Sequence, residues 1–343
     1  MINIVDVKYD LSVLLPAGEQ ISLTTLASGL SWEEQPNELA VRLSFSVRNQ
    51  KWNGKWLHQQ LQLGARTILK ADWGQGWKEI HQGIIFDWDY TQDGNGVLKI
   101  KSYDMLIYLL RSKDDRWYKN GTQASVIIRD IAKAWNIPLG QMDLPGVALA
   151  AQPFRSQTLA SMMTSVIDQV RSRGKGHYII RACNGKMHVV KAGQNKPIYQ
   201  FDADVVSSAS DQQDIENLVT RVKIVSKQAG EVEHEGPGKG TKKTRLKIDD
   251  TVDGQTKYGI LQEIIYSQQY DTVAAVREAA QEVLKERGKP RRRRSVTAPD
   301  LPFLRRGDKV YIAAGTLLGY YNIDGIQHDA DNRSMTMEVV DHE

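Results

Sequence analysis

Cys183, His188 and His177 stand close enough in the sequence to suggest nucleophilic chemistry, a thiolate with an imidazole base. Asn184-Gly185 between them has the composition of a two-residue hairpin turn, because both residues accept positive φ. Such a turn pairs Cys183 with Lys186 and leaves His188 diagonal to the thiol on the same face, about 7–8 Å away. His177 shares that face. The opposite face, with Tyr178, Ile180, Ala182, Met187 and Val189, is the apolar one. A Cys-His pair on an outer surface, without a third group to orient the ring, reads as an ordinary hairpin.

Other patterns fall short for equally specific reasons. Asp249, Asp253 and Gly254 have the spacing of a calcium loop, but Thr251 replaces an oxygen-rich ligand and Ile260 stands where a bidentate glutamate closes the site. Gly236-Pro237-Gly238-Lys239-Gly240-Thr241 lacks the Gly-Lys-Ser/Thr step of a phosphate loop, and strand-like Arg245 to Ile248 follows it instead of a helix. Asp87 and Asp89 share a strand face with nothing beside them to separate an acid from a base. No catalytic, cofactor-binding or metal-binding residue is expected, and the chain reads as a non-enzyme.

Charge is the remaining feature. Lys239–Lys247 holds five basic and no acidic residues, and Lys285–Arg294 holds seven basic and one acidic. Together they carry +11, which against +4 for the whole chain leaves −7 elsewhere. Lys242, Lys243, Arg245, Arg291, Arg292, Arg293 and Arg294 are therefore the candidate contact residues. On a strand, Arg291 and Arg293 point one way and Arg292 and Arg294 the other, and an edge that is solvated or paired with acidic neighbours is favoured over a DNA contact, for want of interleaved aromatics.

The elements around these residues change character along the chain. Leu39 to Val47 alternates apolar and polar, and so does Leu98 to Lys101 after the turn residues Asp93-Gly94-Asn95-Gly96, which predicts antiparallel strands. From about residue 108 the pattern becomes helical. Thr122 can cap a helix reaching about Asn136, which Ile137-Pro138 ends. A second helix is expected from Gln157 to Arg171, and a third from Thr272 to Arg287, with Val273, Val276, Ala280, Val283 and Leu284 inward and Gly288 as its stop.

Self-similarity organises the rest. Leu39, Arg42, Leu43 and Phe45 match Leu218, Arg221, Val222 and Ile224, and Gly64, Gly76, Ile80 and Gly83 match Gly307, Gly319, Ile323 and Gly325. Trp77 answers Tyr320, Gly83-Ile84-x-x-Asp87 answers Gly325-Ile326-x-x-Asp329, and the copies end at Asp104 and Asp341. The expected fold is mainly β with α+β. Two tube-like antiparallel barrels are related by internal duplication, with an α+β domain between them and a helix-containing insertion in the second. The corresponding segments are 1–107, 108–210, 211–228 with 291–343, and 229–290 for the insertion with its basic loop.

At 343 residues the chain has room for two or three domains, and 41% hydrophobic with 25% charged residues excludes disorder and collagen. The single cysteine excludes an intrachain disulfide. With Asp6, Lys8 and Asp10 at its start and no run of 18 apolar residues, the chain is expected neither to be secreted nor to bind a membrane.

The sequences DDTVDGQTKYGILQEII, VAAVREAAQEVLKERGKP, VTAPDLPFLRRGDKVYI and GYYNIDGIQHDADNRSMTMEV, in that order, resemble the baseplate hub proteins of contractile-tailed phages and tailocins, particularly the PBSX-like prophage type. Arg306-Gly307-Asp308-Lys309-Val310 and Lys257-Tyr258-Gly259 are the most specific pieces. The resemblance covers residues 210–343 well and the rest in architecture. It implies a virion or tailocin structural protein assembled in the bacterial host cytoplasm. Three copies would form a homotrimeric ring that joins a hexameric tail tube to a trimeric spike. Tape-measure and baseplate wedge proteins would be further partners, with DNA only a transient channel contact and no cofactor. In that setting the basic residues would make assembly or channel contacts. The competing class is a tail-associated peptidoglycan hydrolase, disfavoured for want of a site.

Overall fold

The computed structural model describes residues 7–15, 18–36, 38–92, 96–231, 244–267 and 273–342. These form two compact units, one of residues 1–210 with 294–343 and one of residues 211–293. The chain begins with β1 (Lys8–Leu14), β2 (Gln20–Ser22), β3 (Ala27–Glu34), β4 (Arg42–Arg48), β5 (Lys51–Trp52), β6 (Lys55–Trp56), α1 (Leu57–Gln60), β7 (Arg66–Asp72), β8 (Lys78–Thr91) and β9 (Val97–Tyr103). There follow α2 (Ile107–Arg111), β10 (Lys113–Tyr118), α3 (Ala124–Ala134), β11 (Leu139–Met142), β12 (Gln152–Thr158), α4 (Leu159–Ser172), β13 (Tyr178–Cys183), β14 (Lys186–Lys191), β15 (Tyr199–Asp202) and β16 (Ser208–Asp214). Then come β17 (Arg221–Glu231), β18 (Thr244–Asp253), β19 (Gln262–Tyr266), α5 (Val273–Arg287), β20 (Arg291–Pro299), β21 (Lys309–Ala314), β22 (Leu317–Asp329) and β23 (Ser334–Asp341).

Strict alternation builds the strands. In β4 the side chains of Leu43, Phe45 and Val47 are buried while Arg42, Ser44 and Ser46 lie between them on the other face. One large sheet runs β16-β20-β23-β22-β3-β4-β9-β8-β7-β1-β2, with β21 on β22 and β15 on β21. It has two cores. Leu11, Leu43, Leu69, Ile85 and Ile100 belong to the first, and Val296, Ile312, Ile323 and Met337 to the second. No pairing among the described strands joins the two ends of either half, so the expected closed barrels take the form of two open halves of a continuous sheet.

The halves share a strand plan. β4-β9-β8-β7 and β20-β23-β22-β21 are both antiparallel throughout. The Gly64 N–H donates to the Ile85 carbonyl and the Ile85 N–H to the Ala65 carbonyl, both at 2.8 Å. The Gly307 N–H donates to the Ile323 carbonyl at 2.7 Å and the Ile323 N–H to that of Asp308 at 2.9 Å. A register shift follows Ile85 in one half and Ile323 in the other. The fifth strand differs, since β1 lies antiparallel to β7 but β15 parallel to β21.

This plan corrects the sequence alignment. The counterpart of β4 is β20, not the segment around Leu218 to Val225. β17 instead lies between antiparallel β18 and parallel β19. The reason is burial: Val222 and Ile224 of β17 pack with Ile265 against Val276 and Ala280 of α5. Of the residues 211–228 expected beside 291–343, those from Arg221 onward therefore belong to a separate α/β unit, and the second half-sheet draws on β15 instead. Ile80 is not the counterpart of Ile323, nor Gly83 of Gly325, because Ile85 matches Ile323.

Between the half-sheets, α3 and α4 pack over the sheet β11-β14-β13, with Ile127, Ile131, Met162, Met163 and Val166 in the shared core. Thr122 does not cap α3, as its hydroxyl donates to the Lys119 carbonyl at 2.7 Å, and Gln123 holds the cap position. The Thr158 hydroxyl caps α4, accepting the Ser161 N–H at 3.1 Å. The Asn184-Gly185 turn has φ of 48° and 63°, as the hairpin requires. The Asp93 to Gly96 turn lies largely outside the described residues. In α5 Val273 is exposed rather than inward, and at Gly288 a Cβ would stand 2.0 Å from the Leu284 carbonyl oxygen. No helix among the described residues is long and apolar enough to cross a membrane.

Candidate functional site

The structure gathers its buried charge around the turn that follows Leu304. Arg305 donates from Nε to Glu34 Oε1 at 2.5 Å and from Nη1 to the Ala182 carbonyl at 2.7 Å. Its own backbone N–H donates to Asp308 Oδ2 at 3.0 Å, and Asp308 Oδ1 accepts from Arg181 Nη1 at 3.1 Å. One side chain thus ties the second half-sheet to β3 of the first and to the β13–β14 hairpin. Gly307 permits this approach: its φ is +86°, and a Cβ there would meet Ile179 Cδ1 at 2.0 Å. The Gly193 N–H donates to the Gly307 carbonyl at 2.8 Å, a further bond between the middle segment and the turn.

Burial opposes the Arg305 charge, but Glu34 outweighs it and holds the guanidinium protonated. Beside it Asp104 accepts the N–H groups of Val41 at 3.0 Å and Leu106 at 2.9 Å. Burial pushes the Asp104 carboxyl up to about 7 against those bonds and the Arg305 charge. His81 is driven down to about 3, first by burial and then by Arg305, so it is neutral at ordinary pH. A cavity of about 20 Å³, lined by His81, Asp104, Cys183 and Gly185, is large enough for roughly one water.

A second polar cluster closes the seam between the half-sheets. β3 pairs antiparallel with β22, setting Trp32 opposite His328 and Glu34 opposite Ile326. The Trp32 and His328 rings stack 4.5 Å apart with an interplanar angle of 8°. His328 Nδ1 lies 2.6 Å from Asp300 Oδ1 and Nε2 lies 3.2 Å from the Leu304 carbonyl. The Tyr9 hydroxyl donates to Asp300, and burial followed by the Asp300 charge raises its pKa, keeping it a donor.

The residues singled out in the sequence lie elsewhere. Lys242 and Lys243 are outside the described residues, and Arg245 lies in β18. Arg292 makes a bidentate ion pair with Asp211, at 2.8 and 2.5 Å, and Arg294 is buried against Asp341 at 3.0 Å and over the Tyr321 ring. Arg291 and Arg293 are exposed. The four arginines therefore divide as strand alternation requires, with one pair used by the chain itself. Cys183 pairs with Lys186 as the turn predicts, which puts Arg181 opposite His188. The Gln141 N–H donates to His188 Nδ1 at 3.1 Å, a hydrogen bond to the Cys183 backbone supports the ring, and burial lowers its pKa. The imidazole is occupied by backbone partners instead of addressing the thiol. Asp253 pairs with Arg221 at 2.5 Å at the end of a continuous strand, not in a calcium loop.

The sequence reading missed Glu34, His81, Asp104, Asp300 and His328. For Glu34, His81 and His328 the signal was a polar residue at an inward strand position, as with Glu34 two places after Trp32, whereas Asp104 and Asp300 lie just beyond strand ends.

With this architecture the chain has the fold of known prophage tail proteins. It covers 98% of the 43 kDa tail protein of prophage MuSo2 from Shewanella oneidensis with 98% of its own length, at 13% identity and a TM-score of 0.66. Against the tail protein from Neisseria meningitidis MC58 the coverage is 97% of this chain and 96% of that one, at 13% identity and 0.65. For the prophage tail protein gp18 from Listeria monocytogenes EGD-e it is 97% and 94%, at 13% identity and 0.54. No curated protein sequence matches the chain. The YQBQ-like family model matches residues 30–340, and the protein belongs to that family.

Two outcomes follow for the junction. Arg305→Ala leaves Glu34 buried without its partner and is expected to cost about 3–5 kcal/mol in denaturant unfolding. Because the Asp104 carboxyl is raised, the stability that its protonation contributes is complete below about pH 4 and is lost as the pH rises through about 7. Asp104→Asn should remove that loss, so the wild type should fall relative to the variant between pH 5 and pH 8 when unfolding is measured at both.

Proposed function

We propose that the protein is a structural hub subunit of a contractile phage tail or tailocin baseplate, three copies of which form a ring joining the hexameric tail tube to the trimeric spike. The observation that carries this reading is the shared strand plan of the two half-sheets, joined edge to edge through β3 and β22. A chain with two similar halves presents six near-equivalent surfaces per trimer while the ring stays threefold, which fits a sixfold tube on one side and a threefold spike on the other. Similarity in fold to prophage tail proteins and the YQBQ-like family support the same setting. The likeness of the halves is best read as internal duplication, with β20 as the counterpart of β4.

In this reading the chain is a virion or tailocin component assembled in the bacterial cytoplasm, and its partners are the tube, the spike, the tape-measure protein and the baseplate wedges. Its role is mechanical, not enzymatic, in keeping with the backbone-bound ring of His188. Arg291 and Arg293, with Lys242, Lys243 and Arg245, are the basic residues proposed to face partners or transient DNA in the channel.

A structure of the assembled particle tests the proposal. Three copies should appear, with six superimposable half-sheets surrounding one axis. A hexamer of this chain, or halves that do not superimpose, would refute it.

A further inference from the structure

The two-stranded sheet of β10 and β12 carries chemistry that the junction does not use. Alternation gives it two faces. The inner face is spent on the helices. Arg116 Nη1 and the Tyr118 hydroxyl both donate to Asp130 of α3, at 2.7 and 2.8 Å, the Gln152 side-chain amide bonds that of Gln169 in α4, and Phe154 is buried. The outer face exposes Lys113, Asp115 and Trp117, with Lys119 just beyond the strand, and Pro153 and Arg155 of β12.

Trp117 is 69% exposed, and Pro153 is its direct cross-strand neighbour. A single exposed ring would need no explanation. This one borders a cleft of about 410 Å³ lined by Asp115, Arg116, Trp117, Pro153, Phe154 and Arg155, a size that suits a small organic ligand. The polar groups of the cleft are set in place by the strands. The register shifts between Asp114 and Arg116, which makes Asp115 the extra residue of a bulge, a device that re-aims a side chain. Asp115 Oδ1 accepts the Ser156 N–H at 2.6 Å, with Ser156 at a φ of +48°, so the opposite strand fixes the carboxylate. Arg116 is engaged by Asp114 and Asp130, whereas Arg155 makes no ion pair among the described residues.

An indole, a carboxylate and a guanidinium around one cleft are the groups that a pyranose requires. The C–H groups on one face of a sugar ring are apolar and cover an indole, while its hydroxyls need an acceptor and a donor beside it, which Asp115 and Arg155 supply. Charge narrows the class. Lys113, Lys119 and Arg155 face Asp115 alone, a surplus of cations that a sugar carrying a carboxylate complements, and the planar guanidinium can meet that carboxylate through two N–H groups. Single-stranded nucleic acid is a poorer match, because successive bases need successive aromatic platforms and Trp117 is the only exposed aromatic residue of β10 and β12 among the described residues.

We propose that the cleft beside Trp117 binds an acidic sugar unit, a pyranose stacked on the indole with its carboxylate on Arg155. The proposal goes beyond the hub reading and does not depend on it.

Saturation-transfer NMR on the full chain tests it with two probes, methyl glucuronide and methyl glucoside, which differ only in a carboxylate that replaces a hydroxymethyl group. The glucuronide should receive saturation, most strongly on the C–H protons of one ring face, and should bind severalfold more tightly than the glucoside at low salt. Trp117→Ala should abolish the signal of both sugars. Arg155→Gln should bring the glucuronide down to the affinity of the glucoside, and both variants should keep the circular dichroism spectrum of the parent. No transfer to the glucuronide, or transfer undiminished in Trp117→Ala, would overturn the proposal. Displacement of the glucuronide by an equal concentration of acetate would also overturn it, by showing an anion site only. So would tighter, Trp117-dependent binding of a thymidine tetranucleotide, which would mark a nucleic-acid platform.

Discussion

Four residues of β3, Ser31 to Glu34, meet four of β22, Ile326 to Asp329, and this short antiparallel ladder makes two half-sheets with separate cores into one continuous sheet. Backbone pairing alone would leave such a seam weak, since four residues supply few hydrogen bonds and each contributes only about 1 kcal/mol net. The side chains add what the ladder lacks. Trp32 covers His328, Asp300 holds the His328 ring from the side, and Tyr9 reaches across from β1 to the same carboxylate. A polar group so deeply buried must find its partners, and Tyr9, Asp300 and His328 satisfy one another across the seam.

Arg305 extends the same constraint to the third part of the unit. Its guanidinium reaches Glu34 at the end of the β3 ladder and the Ala182 carbonyl in the β13–β14 hairpin, so the half-sheets and the middle segment share one cation. A buried ion pair is a poor source of stability by itself, because desolvation offsets much of the attraction. It is a good source of geometry, since any shift of the hairpin or of β3 would strand a charge. The raised carboxyl of Asp104 and the lowered imidazole of His81 follow from this crowding. They are products of a buried interface shared by the half-sheets and the middle segment.

Much of the first half-sheet was legible because its strands alternate cleanly, Leu43, Phe45 and Val47 inward and serines outward. The helices α3 and α4 were legible from their apolar stripes, and the β13–β14 hairpin from Asn184-Gly185. The alignment of the repeat failed at β17 for a physical reason. Leu218 to Ile224 has the same alternation as Leu39 to Phe45, but alternation cannot tell which sheet a strand joins. Long-range pairing decides that, and here the apolar face of α5 captures β17. Charge alone could not name the partners of Arg292 and Arg294, because Asp211 and Asp341 are brought to them only by the folded sheet. The seam residues were hidden for a related reason: Trp32 and His328 are 296 positions apart, and nothing local to either announces the other.

The most direct test of the account is native-state hydrogen exchange, resolved by residue, on the full chain. Amides of the β3–β22 ladder that bond across the seam should be protected to the level of the β4–β9 core and should open with it, as one cooperative sheet requires. Exchange of those amides at the rate of an exposed loop, while both cores stay protected, would show two independent halves and contradict the account.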